Sequence, residues 1–198
     1  MLRTSAVCLL MLHSSAFASS WELVNPPLTS PFYVGAGVGY GQMDADHVDQ
    51  EWQANWYVYG GYRFDTVWAL ELASGKYADV DGVKDSTPSV AIDHNYNVSA
   101  SLLGFAYYSE FAAFYRLGIQ YDDYDKSKVQ QQEDDACTPW GNGLTLCADG
   151  ESQISYLLGL GAEFPMSDAL VTRLEWISQL GGSDFNQHQA VASLMLKF

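Results

Sequence analysis

The chain has 198 residues, 24 Asp and Glu against 9 Lys and Arg, and a formal net charge of −15. That balance excludes a nucleic-acid binder, whose phosphates call for Lys and Arg, and the length allows one domain. No stretch reaches the ~20 consecutive apolar residues of a spanning helix.

Residues 1–18 read as a secretory signal peptide. Arg3 supplies the positive start, Ala6 to Leu12 a short apolar core, and Ala16-Phe17-Ala18 a small-x-small cleavage site. Cys8 follows no lipobox-like run and would leave with the peptide. Residues 19–31 contain Pro26, Pro27 and Pro31, which remove ladder donors, and read as an irregular periplasmic lead-in. Residues 32–198 form the domain.

Eight segments of that domain alternate with period two, the signature of strands. They are Phe32 to Gln42, Gln53 to Phe64, Val67 to Tyr77, His94 to Tyr107, Ala112 to Asp122, Ser152 to Phe164, Ala169 to Leu180 and Gln187 to Phe198. Each has the ~9–11 residues that cross a bilayer when tilted. A membrane protein without spanning helices must close its sheet, because lipid offers the backbone no partners. The connections alternate: Asp65-Thr66, Ser109 to Phe111 and Pro165 to Asp168 are tight, whereas Met43 to Trp52, Ala78 to Asp93, Asp123 to Glu151 and Gly181 to Asn186 are longer. Short periplasmic turns and longer outer loops are the barrel pattern, so both termini are expected in the periplasm and the loops outside.

Alternation alone does not separate a membrane barrel from a soluble lipocalin-like one. One face carries bulky aliphatics, with aromatics near the strand ends: Phe32, Tyr40, Phe64, Trp68, Tyr96, Tyr121, Phe164 and Phe198. Interfacial girdles require that placement. The opposite face is rich in Gly, Ser and Ala and carries charges of both signs, namely Arg63, Arg116, Arg173 and Lys197 with Glu71, Glu163 and Glu175. Enclosed charges must pair, since a lone one costs several kcal/mol. The reading is an all-β, eight-stranded antiparallel up-and-down transmembrane β-barrel.

Phe32-Tyr33-Val34-Gly35-Ala36-Gly37-Val38-Gly39-Tyr40, Leu157 to Phe164, Thr172 to Trp176 and the closing Leu196-Lys197-Phe198 together resemble the small outer-membrane β-barrel family of OmpA transmembrane-domain-like and OmpX-like proteins. The resemblance covers about residues 32–198 and implies a Gram-negative cell outer membrane. It also implies that Leu194, Leu196 and Phe198, on one face of a last strand, are the signal read by the barrel-assembly machinery. Nothing after Phe198 suggests a peptidoglycan-binding domain.

In such barrels lumenal Arg/Lys–Glu pairs block the pore and have been discussed as a gate. Arg63, Glu71, Arg116, Glu163, Arg173, Glu175 and Lys197 resemble that network by position, with Asp122 a further candidate. A set of this kind either only satisfies the interior or gates it; satisfaction is the first requirement. Gly35, Gly37, Gly39 and Gly41 leave room for water pockets on the lumen side. Cys137 and Cys147 lie in the longest loop and predict a structural disulfide over its Thr138-Pro139-Trp140-Gly141-Asn142-Gly143 turn, the outer surface being oxidising.

The outer loops are acidic: Asp44, Asp46, Asp49 and Glu51, then Asp79, Asp81, Asp85 and Asp93, then Asp123, Asp125, Glu133, Asp134, Asp135, Asp149 and Glu151. They read as solvated, repulsive surface, or as carboxylates bridged to lipopolysaccharide by divalent cations. The Asp44-x-Asp46-x-x-Asp49 spacing lacks the EF-hand pattern. No nucleophile–base pair can be placed among His47, His94, His188 and the serines, because parity puts His94 on the lipid side and Ser99 and Ser101 inside.

The sequence therefore predicts a non-catalytic monomer without cofactor or metal, with a structural or surface-interaction role (adhesin- or defence-like) through its loops. Outer-membrane lipid and lipopolysaccharide surround it, and an extracellular partner is open. The alternative is a narrow ion or small-solute channel gated by lumenal salt bridges; a lipid A-modifying enzyme comes third.

Overall fold

The computed structural model describes residues 30–45, 48–78, 90–130, 138–141, 144–181 and 185–198. Its strands are β1 (Phe32–Ala45), β2 (Val48–Arg63), β3 (Trp68–Tyr77), β4 (Val90–Tyr107), β5 (Ala112–Gln130), β6 (Thr138–Gly141), β7 (Leu144–Pro165), β8 (Leu170–Leu180) and β9 (Phe185–Lys197). Chain neighbours other than β5 and β6 pair antiparallel; β1 pairs with β9, and β5 with β7, so eight strands form a ring with no free edge. The four-residue β6 stands outside the ring, on the edge of β7 at Leu144–Leu146.

The register determines the shape. From Gln42 the pairings run through His188, Ser178, Leu158, Leu117, Leu102, Leu70 and Tyr62 and return to β1 at Phe32. That stagger tilts the strands by about 40° in a barrel too narrow for anything but side chains inside. It also brings the aromatics into two belts about 20 Å apart along the axis. Phe32, Tyr62, Phe64, Phe164 and Phe198 form one, and Tyr40, Trp56, Tyr96, Tyr121 and Tyr156 the other; all are exposed. Between them the outer surface is Val34, Val38, Val58, Leu70, Leu72, Leu102, Leu117, Ile119, Leu158, Leu160 and Leu174. A water-soluble protein does not expose such a continuous apolar band; lipid is its solvent.

The tight turns lie at the Phe32 belt. Asp65 caps one of them, its Oδ1 accepting from the N–H groups of Val67 at 2.7 Å and Trp68 at 2.8 Å. Ser167 Oγ accepts from Leu170 N at 3.1 Å in another. At the opposite end Gly181, with φ of +83°, turns the chain out of β8 in a conformation few L-residues adopt.

Two expectations need correction. Residues 123–151, read as one long loop, are largely strand: β5 runs to Gln130 and β7 starts at Leu144, paired from Asp123↔Ser152 to Gln130↔Thr145. Beyond the bilayer neither face meets lipid, so polar residues occupy both, and the period-two signal vanishes while the ladder continues. The second concerns β4. A bulge lies between His94 and Tyr96, leaving Asn95 exposed rather than lumenal, its Nδ2 donating to Asp123 Oδ1 at 2.9 Å. An extra residue shifts the register there, and His94 pairs with Tyr124. Residues 1–29, with the signal peptide and most of the lead-in, are outside the described residues, as is Cys137 with its expected bridge.

Candidate functional site

The lumen has two layers. In the half nearer the tight turns, six charged side chains from β2, β3, β5, β7 and β8 alternate in sign along one chain of ion pairs: Glu175, Arg116, Glu71, Arg173, Glu163, Arg63. Arg116 Nε donates to Glu175 Oε1 at 2.5 Å and its Nη2 to Glu71 Oε1 at 2.6 Å. Arg173 Nη1 donates to Glu71 Oε2 at 2.6 Å and its Nη2 to Glu163 Oε1 at 2.8 Å. Arg63 Nη2 closes the chain on Glu163 Oε2 at 2.6 Å. All six are buried and the charges cancel. The geometry fits the rule that charges in a low dielectric must be paired and hydrogen-bonded.

Tyrosines add further partners, and Arg63 Nε is left without one among the described residues. Tyr33 OH donates to Glu71 Oε2 at 3.0 Å, Tyr59 OH bonds Ser193 Oγ at 3.0 Å, and Arg63 Nη1 donates to Tyr107 OH. The guanidinium of Arg173 lies 4.8 Å from the Tyr59 ring centre and 5.0 Å from that of Phe114; Arg63 lies 4.3 Å from Phe105. Cation–π contacts of this kind hold desolvated cations in place. Lys197 is half-buried on the lumenal side opposite Tyr33 and makes none of these ion pairs.

Gly35 and Gly37 on β1 do not open the water pockets expected of the four β1 glycines. A Cβ at Gly35 would collide with the Tyr59 ring, and one at Gly37 would lie 2.7 Å from Tyr57 OH. Their absent side chains make space for tyrosine rings reaching across from β2.

The layer above is made of carboxamides and hydroxyls. Asp122 is fully buried, accepting from Gln120 Nε2 at 2.7 Å and Gln179 Nε2 at 2.6 Å. Gln179 Nε2 also donates to Ser155 Oγ at 2.8 Å, and its Oε1 accepts from Tyr77 OH at 3.2 Å. Between the layers is a cavity of about 30 Å³, lined by Asn55, Asn97, Gln120, Gln189 and Arg116. Asn55 Oδ1 and Gln189 Oε1 have no protein partner among the described residues. The space suits about two waters bridging them. Each of these glutamines lies on the inward parity of its strand; their convergence depends on the barrel stagger, which the sequence does not display.

On the lipid-facing side the structure brings together a pair that sequence reasoning missed. His188 Nδ1 lies 2.9 Å from Ser178 Oγ, the two being register partners on β9 and β8. A histidine beside a serine is a nucleophile–base arrangement. Here the neighbouring backbone N–H groups are engaged in the β1–β9–β8 ladder. Among the described residues, no group of three or more His, Cys, Asp or Glu is arranged to hold a metal.

A family model described as outer membrane protein beta-barrel domain matches residues 4–198. A search of curated proteins finds no match. Among solved structures, the chain is similar to Ail, the attachment invasion locus protein of Yersinia pestis, with TM-score 0.58 and 13% identity over 85% of this chain and 99% of that one. It is similar to Neisserial surface protein A, with TM-score 0.58 and 11% identity over 84% and 97%. Outer membrane protein OprG of Pseudomonas aeruginosa gives TM-score 0.52 and 12% identity over 85% and 96%. At these identities the likeness concerns the fold.

Proposed function

The chain belongs to the outer membrane protein β-barrel family, and from that premise we propose that it is a non-catalytic barrel whose work is done at its outer end, in structural support or surface interaction. The observation that carries this reading is the filled lumen: three guanidinium and three carboxylate groups, paired and buried, plug the half nearer the tight turns. A plug of matched charges is a poor conduit and a sound foundation.

The opposite end supports the same reading. β5 has 19 residues and β7 has 22, against the ~9–11 that cross a bilayer, so paired strands stand clear of the lipid. We place the tight turns and both termini in the periplasm and the projecting strands outside, as tight-turn and long-loop ends are placed in this fold. An epitope inserted at Ser167 and probed on intact cells is then silent; a surface signal reverses the orientation. In the sequence Cys137 precedes Thr138 and Cys147 follows Leu146, and Thr138 and Leu146 are partners in the β6–β7 ladder; this supports the bridge.

The charge limits the partner. Ail has been solved with the heparin analogue sucrose octasulfate, a polyanion. With net charge −15 and acidic loops, this chain would repel such a ligand, so we assign it a neutral or basic partner surface. Divalent cations would mediate contact with lipopolysaccharide. During biogenesis Leu194, Leu196 and Phe198 engage the assembly machinery, and the closed sheet functions as a monomer.

Replacing residues 126–149 by a short turn tests the reading. The variant should still fold and insert, shown by heat-modifiable gel migration, while whole-cell binding to host-cell or abiotic surfaces falls several-fold. Unchanged binding would contradict it. The runner-up, a narrow channel, is favoured by the polar cavity above the plug, which ends on Arg116.

A further inference from the structure

We propose that the lipid-facing surface of β1, β9 and β8 binds one phosphorylated, acylated glycolipid of the lipid A type. The inference rests on the orientation given above, which makes this end of the barrel the outer leaflet.

Three outward polar residues stand side by side in one register row: Gln42 on β1, His188 on β9 and Ser178 on β8. Elsewhere between the girdles the outer face is dominated by aliphatic and aromatic residues. Polar groups at membrane depth carry a cost that a role must offset. The stagger puts this row about 20 Å above Phe32 along the axis, level with Tyr40 and Tyr156 and so at the headgroup boundary. His188 is held by Ser178 at 2.9 Å through Nδ1. No hydrogen bond of its other ring nitrogen, Nε2, is found among the described residues; with Nδ1 accepting from Ser178 it donates to a phosphate, and in the other tautomer it accepts from a sugar hydroxyl.

Directly below, on the same three strands and Leu160 of β7, lies an apolar groove of about 570 Å³. Ala190 and Ala192 form its floor, Val38 and Tyr40 one wall, and Leu174 and Trp176 the other. Along β9 the outward residues run His188, Ala190, Ala192, Leu194, Leu196: a polar mouth, two small residues, then bulk that closes the groove. From His188 to Leu194 is about 20 Å along the strand. Allowing for tilt, that is about 15 Å along the axis, so the groove runs through the outer part of the roughly 20 Å between the belts. A headgroup at the mouth with an acyl chain on the alanines satisfies both halves at once. A larger groove of about 860 Å³, lined from β1, β2, β3, β4, β8 and β9, has no such mouth; its Ser74 Oγ already donates to the Asn97 carbonyl at 2.9 Å.

The test is native mass spectrometry of the full chain folded in detergent, titrated with purified hexa-acylated lipid A. Wild type should carry one retained lipid. A190F with A192F, filling the floor, should weaken binding at least tenfold, and H188A about threefold or more. A100F, an outward alanine on β4, should leave it unchanged, and heat-modifiable migration should show all variants folded. Equal retention by the floor-filled variant, equal loss in A100F, no adduct on wild type, or a preference for phosphatidylethanolamine would each overturn the proposal. Binding in detergent does not depend on which way the barrel is inserted, so the Ser167 epitope reports separately on orientation.

Discussion

Arg173 bonds two carboxylates and lies against two aromatic rings, so it joins the halves of the ion-pair chain. Removing one partner of a buried pair leaves uncompensated charge, at a cost of about 3–5 kcal/mol. Arg173→Met should therefore lower stability by about that amount in urea titrations of the vesicle-inserted protein. Because Glu163 is one of the carboxylates released, adding Glu163→Gln should cost less than the two single changes summed; strict additivity would mean the chain is not a coupled unit. Tyr33→Phe removes one hydroxyl donor to Glu71 and should cost about 1.5–3 kcal/mol, the range for a hydrogen bond to a charged group. Gly35→Val puts a branched side chain where the Tyr59 ring lies and should block the heat-modifiable folded form.

Strands differ in how openly their residues declare them. Within the bilayer, lipid on one side and packed lumen on the other force strict alternation, so Phe32 to Tyr40 or Ile154 to Phe164 can be read directly. Above it the constraint lapses: Asp122-Asp123-Tyr124-Asp125-Lys126 is polar on both faces, yet it is strand. The inward charges could be read one by one from parity. Their order along the ion-pair chain, and the meeting of Gln120, Gln179 and Asp122, required the stagger between strands. The tyrosines over the glycines were hidden for a related reason: a missing side chain signals close approach without naming what approaches. At this scale the proposed Cys137–Cys147 bridge should add about 2–3 kcal/mol by chain entropy. Alkylation followed by mass measurement should find both thiols blocked until reductant is added; two reactive thiols in the secreted, unreduced protein would contradict the bridge.

The whole molecule separates its two solvents. Aliphatic side chains between two aromatic belts face hydrocarbon. The six charged groups of the ion-pair chain are paired with one another, and Asp123, Asp125 and Glu151 lie on the stretches of β5 and β7 that continue past the upper belt. The belts, about 20 Å apart, match the thin apolar band of outer-membrane barrels. The most direct test of a sealed barrel that acts at its outer end is single-channel recording in planar bilayers. The refolded wild-type protein should leave the current at the bare-membrane baseline, and R173M with R116M should raise it. Steady conductance from the wild type, unaltered by breaking the ion-pair chain, would show that the lumen is open and the account wrong.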